Sequence, residues 1–589
     1  MKLSRCLTLA VLTLAAAVPN ARVAALPTYS AKLIVDAAST VCTVLKATEL
    51  TQLHRGIKSS SDFLEQSVSR QNRASMEELL LLADEIEAQK IVEIFGGSAE
   101  AVNSRILERC PNGVNYEVAT PATSVIQKIV GSGDPSNRID VVFMGDGYTA
   151  SEQTKFFDDI KRLTDEMFTG DTFAQYLPLF NVWAAYLPST ASGIGVGGTP
   201  KNTVFGLYRD GTELRGVYVT NAAKARELCA SVGKNACDFP SLIGNDDFYG
   251  GLGGEFVIST RSVSSGTVVL RHEMGHNFGV VGEEYDGGQV YSGANNAKSV
   301  SGITWKHWLT NPSNAVEQKA AQLYQKHIWY NLKDGAYTIS FTSTGAFKRW
   351  YILISASGVD TSDSLTVTLD GKPLAWNTNG LKDRTFYSWT SSTAGFTSGA
   401  HTLVIKGGGS FTGSVIKQLC NAIIYEYKDE SEYKLDDPDF IGVYPTYDIN
   451  KAKSYRPNNE KCLMRNMTST SFCAVCKENM WLKFMARIEF IDDVVVSGKS
   501  VEVKLIPLGQ LRPATDGFIK SNPALAAAEK YTIQWLKGGV EVTQFRDMAR
   551  VDLTGQATGQ WTVRANFTTP SVRLDPSKYM LSEKTFTLA

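Results

Sequence analysis

The stretch Arg271-His272-Glu273-Met274-Gly275-His276-Asn277-Phe278-Gly279 contains the pattern His-Glu-x-x-His. An α-helix turns by about 100° per residue, so positions four apart share one face. On such a helix His272 and His276 aim their rings at one point, and Glu273 stands beside the first of them. This is the donor spacing of a helical zinc-hydrolase site, with a carboxylate placed to hold a water at the metal. Two of the six histidines in the chain are here.

Downstream, Gly279 lies three residues after His276. A glycine there is expected to take a positive φ, end the helix and turn the chain back towards the metal. A catalytic zinc takes three protein ligands and keeps one position for water. The next carboxylates are Glu283 and Glu284, followed by Tyr285 and Asp286. The expected cofactor is therefore one catalytic Zn2+, held by His272, His276 and Glu283 (or Glu284), with Glu273 as the general base. The commonest site of this kind places a third histidine where this chain has Gly282.

Upstream, Ile139-Asp140-Val141-Val142-Phe143-Met144 is an apolar run of strand length. Gly145-Asp146-Gly147 turns the chain, and Thr149-Ala150-Ser151-Glu152 is a capping box. The helix it opens carries Phe156, Phe157, Ile160, Leu163 and Met167 at helical spacing. Further strands are expected over 180–186 and 255–260, the second shortly before the His272 helix. Strand, helix, strand, then an active helix is an α/β pattern. The 255–260 strand also offers an edge on which an extended substrate would pair.

Away from this core the character changes. From about 335 to 430, short alternating strands separated by turns such as Asp370-Gly371 describe a β-sandwich. Its aromatics Trp350, Tyr351, Trp376 and Trp389 suit core packing first and carbohydrate binding second. Residues 433–485 return to loop and helix, and residues 487–589 form a second strand-rich region of immunoglobulin-like size. Residues 26–120 read as mostly helical, with Ser75-Met76-Glu77-Glu78 opening a helix that Gly96-Gly97 would stop. This region is a pro-segment or a structural domain. Pro121 to Arg138 reads as a linker.

At 589 residues the chain exceeds one core, and about 150 residues per domain implies about three or four units. The net charge of −1 provides no overall field for nucleic acid or an anionic membrane. Lys2 and Arg5, the apolar run Leu7 to Val18 and the small residues Val23-Ala24-Ala25 have the form of a secretory signal cut after Ala25. No other run approaches the length of a membrane span. Secretion leaves eight cysteines, which favours disulfides. Cys42 and Cys110 are a natural pair, in preference to a Cys110 thiolate that blocks the zinc. Cys462, Cys473 and Cys476 suit disulfides with Cys420, or a second metal site. Asn466-Met467-Thr468 and Asn566-Phe567-Thr568 are glycosylation sequons.

Several separated segments are together similar to the secreted zinc metallopeptidases of the IgA-peptidase family. They are Asp140 to Thr149, Phe180-Asn181-Val182-Trp183, His272 to Tyr285, Tyr455-Arg456-Pro457, Cys462-Leu463-Met464-Arg465 and Phe472-Cys473-Ala474-Val475-Cys476. The resemblance spans roughly 122–310 and 433–485. It implies a multidomain chain with an α/β (α+β) zincin-like metallopeptidase domain in two parts, 121–334 and 433–486. An inserted β-sandwich over 335–432 separates them. A signal segment over 1–25 and the helical N-terminal region over 26–120 precede them, and a C-terminal β-sandwich over 487–589 follows. The resemblance favours Glu283 over Glu284, because the family often has aspartate there. It also implies that Met464 lies as a methionine floor beneath the metal; an ordinary core methionine is the alternative.

The activity implied is a secreted zinc endopeptidase acting on extracellular protein or peptide substrates. Two rivals are a secreted adhesion or carbohydrate-binding protein with a vestigial peptidase domain, and a zinc amidase acting on a non-protein substrate. The intact His272, Glu273 and His276 argue against the first.

Overall fold

The computed structural model describes residues 29–36, 42–49, 85–86, 89–96, 114–116, 124–313, 315–435 and 437–589. The strands before residue 117 and the chain from 124 onward belong to separate compact units. The signal segment, Cys110 and the capping box at Ser75 lie outside the described residues.

In the first unit the expectation of helix is corrected. Its described residues form a five-stranded sheet that includes Tyr29–Asp36, Cys42–Glu49 and Gln89–Gly96. The last of these occupies the end of the expected helix. Its sequence, Gln-Lys-Ile-Val-Glu-Ile-Phe-Gly, is rich in β-branched and aromatic residues. Such side chains lose rotamer freedom on a helix and keep it on a pleated strand. The strand pairs antiparallel with Tyr29–Asp36 along its whole length.

The second unit is built around a five-stranded sheet in the order Val257–Thr260, Phe239–Gly244, Ile139–Asp146, Phe180–Tyr186, Val125–Val130. The first four strands are parallel and the last is antiparallel. Ile139–Asp146 lies at the centre, and all eight of its residues are buried. A parallel strand covered on both faces needs a mostly apolar sequence, here Val141 to Met144, and the buried Asp140 accepts hydrogen bonds from Asn181 and Trp183. The helix Gln153–Met167 follows, buried through Phe156, Ile160, Leu163 and Met167. Its entry is the expected capping box, with the Thr149 N–H donating to Glu152 Oε2 at 2.9 Å.

Two strands were not anticipated. Val125–Val130 lies inside the expected linker, and Phe239–Gly244 carries Pro240, which masks the strand signal. The helix Gly266–Gly279 returns over the sheet, with Phe278 packed against Phe173, Phe180, Phe239 and Phe484 at ring separations of 4.8–5.4 Å. A second helix, Ala474–Met485, packs beside it.

Two further β units follow. One pairs Ala320–Asn331, Gln418–Tyr427, Arg349–Ser357 and Thr385–Ser391 in one sheet, and Tyr337–Ser343, Gly399–Gly407, Leu365–Leu369 and Lys372–Pro373 in another. Ile339, Ile352, Ile354, Val367, Leu403 and Ile424 fill the space between them. Trp350, Trp376 and Trp389 pack against this core, and Tyr351 packs against a neighbouring cluster around Tyr425 and Tyr427. The other β unit joins a three-stranded and a four-stranded sheet between Ile491 and Leu588, with Trp535 and Trp561 buried. The chain from 124 onward is thus a sheet-rich α/β protein with β-sandwiches. Among the described residues, no helix is long and apolar enough to cross a membrane.

The sandwich is tied back to the helix Gly266–Gly279. Ser265 is the N-cap of Gly266–Gly279. Asp383, from the sandwich, accepts through Oδ2 from the hydroxyls of Ser262, Ser264 and Ser265 at 2.6–2.9 Å. Its Oδ1 accepts from the Tyr249 N–H at 2.6 Å. A carboxylate at a helix N-terminus is favoured by the helix dipole.

Phe278→Ala removes the ring on which four others converge, and should lower unfolding free energy by about 3–5 kcal/mol. Denaturant titration measures this, and a loss below about 1 kcal/mol would contradict the packing argument.

Candidate metal centre and active site

The helix Gly266–Gly279 brings the two histidines together as the spacing requires, with ring centroids 4.9 Å apart. His272 Nδ1 lies 3.1 Å from the Leu463 carbonyl, and His276 Nδ1 lies 2.7 Å from the Val281 carbonyl. A carbonyl only accepts, so each Nδ1 carries a proton, and each Nε2 is the atom that could give a lone pair to a metal once its own proton leaves. Carbonyl partners of this kind orient imidazoles for a metal.

Both Nε2 atoms face one carboxylate. Glu283 Oε2 is 3.2 Å from His272 Nε2, and Glu283 Oε1 is 3.2 Å from His276 Nε2. The Tyr285 hydroxyl donates to Glu283 Oε1 at 3.1 Å. The three ligand atoms lie within 4.8 Å of one another, close enough to hold one ion. Glu284 is not in this group. Its side chain turns to the opposite side of the loop, towards Cys462, Cys473 and Cys476.

Electrostatics bind the trio. Burial alone would raise the Glu283 carboxyl, but the charges of His276 and His272 and their hydrogen bonds hold it well below the usual carboxylate range. Burial disfavours the His276 imidazolium, yet Glu283 overrides it and pushes the ring up to about 9. Without metal the two histidines and Glu283 therefore form a charge-compensated cluster. A divalent cation would take the place of the imidazolium protons.

Glu273 stands beside His272 and is half-buried. Desolvation raises its carboxyl, with His272 and His276 opposing, and the Gly253 N–H donates to it. A Cβ on Gly253 would sit 2.8 Å from Glu273 Oε2, so the backbone there passes directly over the carboxylate. Gly253 belongs to a glycine-rich segment, Gly250-Gly251-Leu252-Gly253-Gly254, that the sequence reading left unused. Leu252 exchanges backbone hydrogen bonds of 2.9 and 3.1 Å with Ile258, so this segment occupies the outer side of the strand expected to receive substrate. Tyr249 was also unassigned; its hydroxyl feels the charges of Glu273 and Glu283.

Gly279 plays a different part from the one expected. It remains helical, and Val280 takes the left-handed conformation that ends the helix, φ 51° and ψ 46°. The Val280 N–H donates to the His276 carbonyl at 2.9 Å, which is the single-bond form of such an ending. Gly279 is needed for closeness: a Cβ there would lie 3.2 Å from Met480 Cγ on the neighbouring helix. Gly275 is similar, with Met464 Sδ and a Phe472 ring carbon each 2.9 Å from the place of a Cβ. Met464 is thus buried against this helix at Gly275.

Gly282 explains the lack of a third histidine. A Cβ there would stand 2.4 Å from the Ser292 carbonyl oxygen and 2.7 Å from its nitrogen. The Gly282 backbone is also clasped by Asn295, which accepts from its N–H at 2.8 Å and donates to its carbonyl at 2.9 Å. No side chain fits at that position.

The disulfides expected with Cys420 are corrected. Cys420 lies on the sandwich strand Gln418–Tyr427, apart from the other three, and all four are unpaired thiols. The disulfide among the described residues joins Cys229 and Cys237.

Metal-free His276 holds its proton up to about pH 9, and a metal must displace that proton. Apparent zinc affinity should therefore rise about tenfold per pH unit from about pH 7 to about pH 9, then level off. Competition with a chelator across that range measures it, and a flat profile would contradict the cluster. Gly282→Ala should cost about 1–3 kcal/mol through overpacking, read as a lowered thermal midpoint.

Residues 127–325 match the family described as IgA Peptidase M64, which supports a peptidase of that family in this part of the chain. A comparison with curated proteins found no match. Among solved structures, a CBM35 module from Cellvibrio japonicus is 10% identical, with 19% of this chain and 93% of that one covered and a TM-score of 0.13. An exo-β-1,3-galactanase from Phanerochaete chrysosporium, solved with β-1,3-galactotriose, is 16% identical over 15% of this chain and 20% of that one, with a TM-score of 0.11. The CBM36-1 domain of a xylanase from the hindgut metagenome of Trinervitermes trinervoides is 11% identical over 18% and 94%, with a TM-score of 0.12. At these scores the likenesses carry no argument about function.

Proposed function

We propose that this protein is a secreted, zinc-dependent endopeptidase of zincin-like layout that hydrolyses extracellular protein substrates. The observation that carries the reading is the convergence of His272 Nε2, His276 Nε2 and both Glu283 oxygens on one point, with Glu273 adjacent. The match over 127–325 provides the peptidase class, and the signal-like sequence over 1–25 supports secretion.

The donor set fits zinc. Two neutral imidazoles and one carboxylate are the ligands of a known class of catalytic zinc sites, which keep a fourth position open. When bound, the ion provides Lewis-acid chemistry, polarising a carbonyl and acidifying water. The protein does the rest. His272 and His276 are held in one tautomer by the Leu463 and Val281 carbonyls, so their lone pairs point inwards without rearrangement. Glu273 accepts the proton of the attacking water and passes it to the leaving amine. Its raised pKa in the cleft suits both halves of that transfer. The Gly253 N–H keeps the carboxylate aimed, and the Gly250–Gly254 segment forms the wall along which an extended substrate would lie.

Met464 acts as the floor of the site, pressed against Gly275. The aromatics of the sandwich are engaged in packing, with Trp350 stacked on Phe396 and the Trp376 and Trp389 N–H groups donating to backbone carbonyls. They therefore lend little to a carbohydrate-binding reading.

Metal analysis and protease assays on three proteins test the assignment. Glu273→Ala should retain the histidine-site zinc and lose activity by about 100-fold or more. His272→Ala should lose that zinc together with activity. Wild-type turnover by Glu273→Ala would sink the mechanism, and activity on cell-wall amides but not on unfolded proteins would favour an amidase.

A further inference from the structure

The ligand loop continues past Glu283 into a second cluster. Glu284 is 0% exposed. Its Oε1 accepts from Asn295 Nδ2 at 2.9 Å and lies 3.6 Å from Cys476 Sγ; its Oε2 is buried with no hydrogen-bond partner. Neither nearby guanidinium is spent on this carboxylate. Arg465 bonds the Glu284 carbonyl, Asp286 and Glu460, and Arg456 bonds Glu460 and the Asn458 carbonyl. A buried carboxylate without a cation is costly.

Three buried thiols surround it. Cys476 Sγ is 3.9 Å from Cys462 Sγ and 3.6 Å from Cys473 Sγ, and all four donor atoms lie within 4.8 Å of one another. We propose that Cys462, Cys473, Cys476 and Glu284 hold a second zinc ion in a closed, structural site distinct from the histidine site.

The distances fit. Zinc–sulfur bonds of about 2.3 Å place the corners of a regular tetrahedron about 3.8 Å apart. The two sulfur separations bracket that edge, and the oxygen edge at 3.6 Å is shorter, as the shorter zinc–oxygen bond requires. A disulfide between two of the three would draw those sulfurs to about 2.0 Å. It would leave the third thiol against a buried, unpaired carboxylate.

The surroundings suit thiolates. Cys473 is the N-cap of Ala474–Met485 and Cys476 lies in its first turn, where the helix dipole favours negative charge. The Cys473 N–H lies 3.4 Å from Cys462 Sγ and donates to it. Asn295 orients the carboxylate from behind, as outer groups do in metal sites. All four ligands are buried and come from the protein, so no position remains for substrate.

Such an ion has structural leverage. Glu284 follows Glu283, which faces the histidines. Cys462 precedes Leu463, whose carbonyl receives the His272 proton. Cys473 and Cys476 open the helix that supports Gly279. One ion would join three elements around the active site.

The test uses the full chain with His272 and His276 both changed to alanine, which removes the histidine site. Elemental analysis after dialysis should find about one zinc per chain, the content of a single four-ligand site. Replacing that zinc with cobalt should give strong thiolate-to-cobalt charge-transfer absorption, which a further Cys476→Ser change abolishes. Less than about 0.2 zinc per folded chain, a cobalt spectrum without thiolate bands, or a Cys473–Cys476 disulfide in peptide mass spectrometry would each overturn the proposal. If Cys476→Ser fails to fold, the charge-transfer band of the folded double variant decides alone. Activity is not read, so the outcome is independent of the peptidase assignment.

Discussion

The hydrogen bond from the Glu284 N–H to the Met464 carbonyl, 3.0 Å long, joins two segments nearly two hundred residues apart. One is the loop after the active helix; the other is the segment that runs beneath it. This bond fixes the turn of the loop, and the turn fixes where each of four consecutive side chains points. Glu283 meets the histidines and Glu284 meets the cysteines. The Tyr285 hydroxyl donates back to Glu283, and Asp286 pairs with Arg465. Successive side chains of an extended segment leave on opposite sides, so two adjacent glutamates serve two separate clusters.

The histidine helix is governed from outside in the same way. Its two histidines donate from Nδ1 to carbonyls of Leu463 and Val281, neither of which belongs to the helix. Its small residues, Gly275 and Gly279, let Met464 and Met480 approach the backbone. The site is therefore a meeting of the active helix, the ligand loop and the Cys462–Met485 region. The helix alone provides only spacing.

This explains what could be read in the sequence. That His272 and His276 share one helix face was legible because helical periodicity is local, and the strand at Ile139–Met144 because a buried parallel strand needs a mostly apolar sequence. The choice between Glu283 and Glu284 was not legible, because it depends on a hydrogen bond to a distant carbonyl. The helix ending was assigned to Gly279 on propensity, whereas tertiary contacts with Met480 claimed that glycine and left the strained φ to Val280. Phe239–Gly244 was hidden by Pro240, and the glycine segment over Glu273 looked like an ordinary loop. Gln89–Gly96 fits a helical and a strand period alike, and its pairing with Tyr29–Asp36 is a long-range choice that local pattern does not show.

The Asp383 carboxylate, shared among three serines at the start of the active helix, has a consequence for how the molecule comes apart. The sandwich that supplies it follows that helix in the sequence, yet it closes the end of the helix that carries the histidines. Loss of the sandwich would leave that helix start unsealed and the buried Ser262 and Ser265 hydroxyls without their Asp383 acceptor. The two regions are consequently one cooperative unit for local opening, and amide protons of the active helix should exchange only as fast as the sandwich lets go.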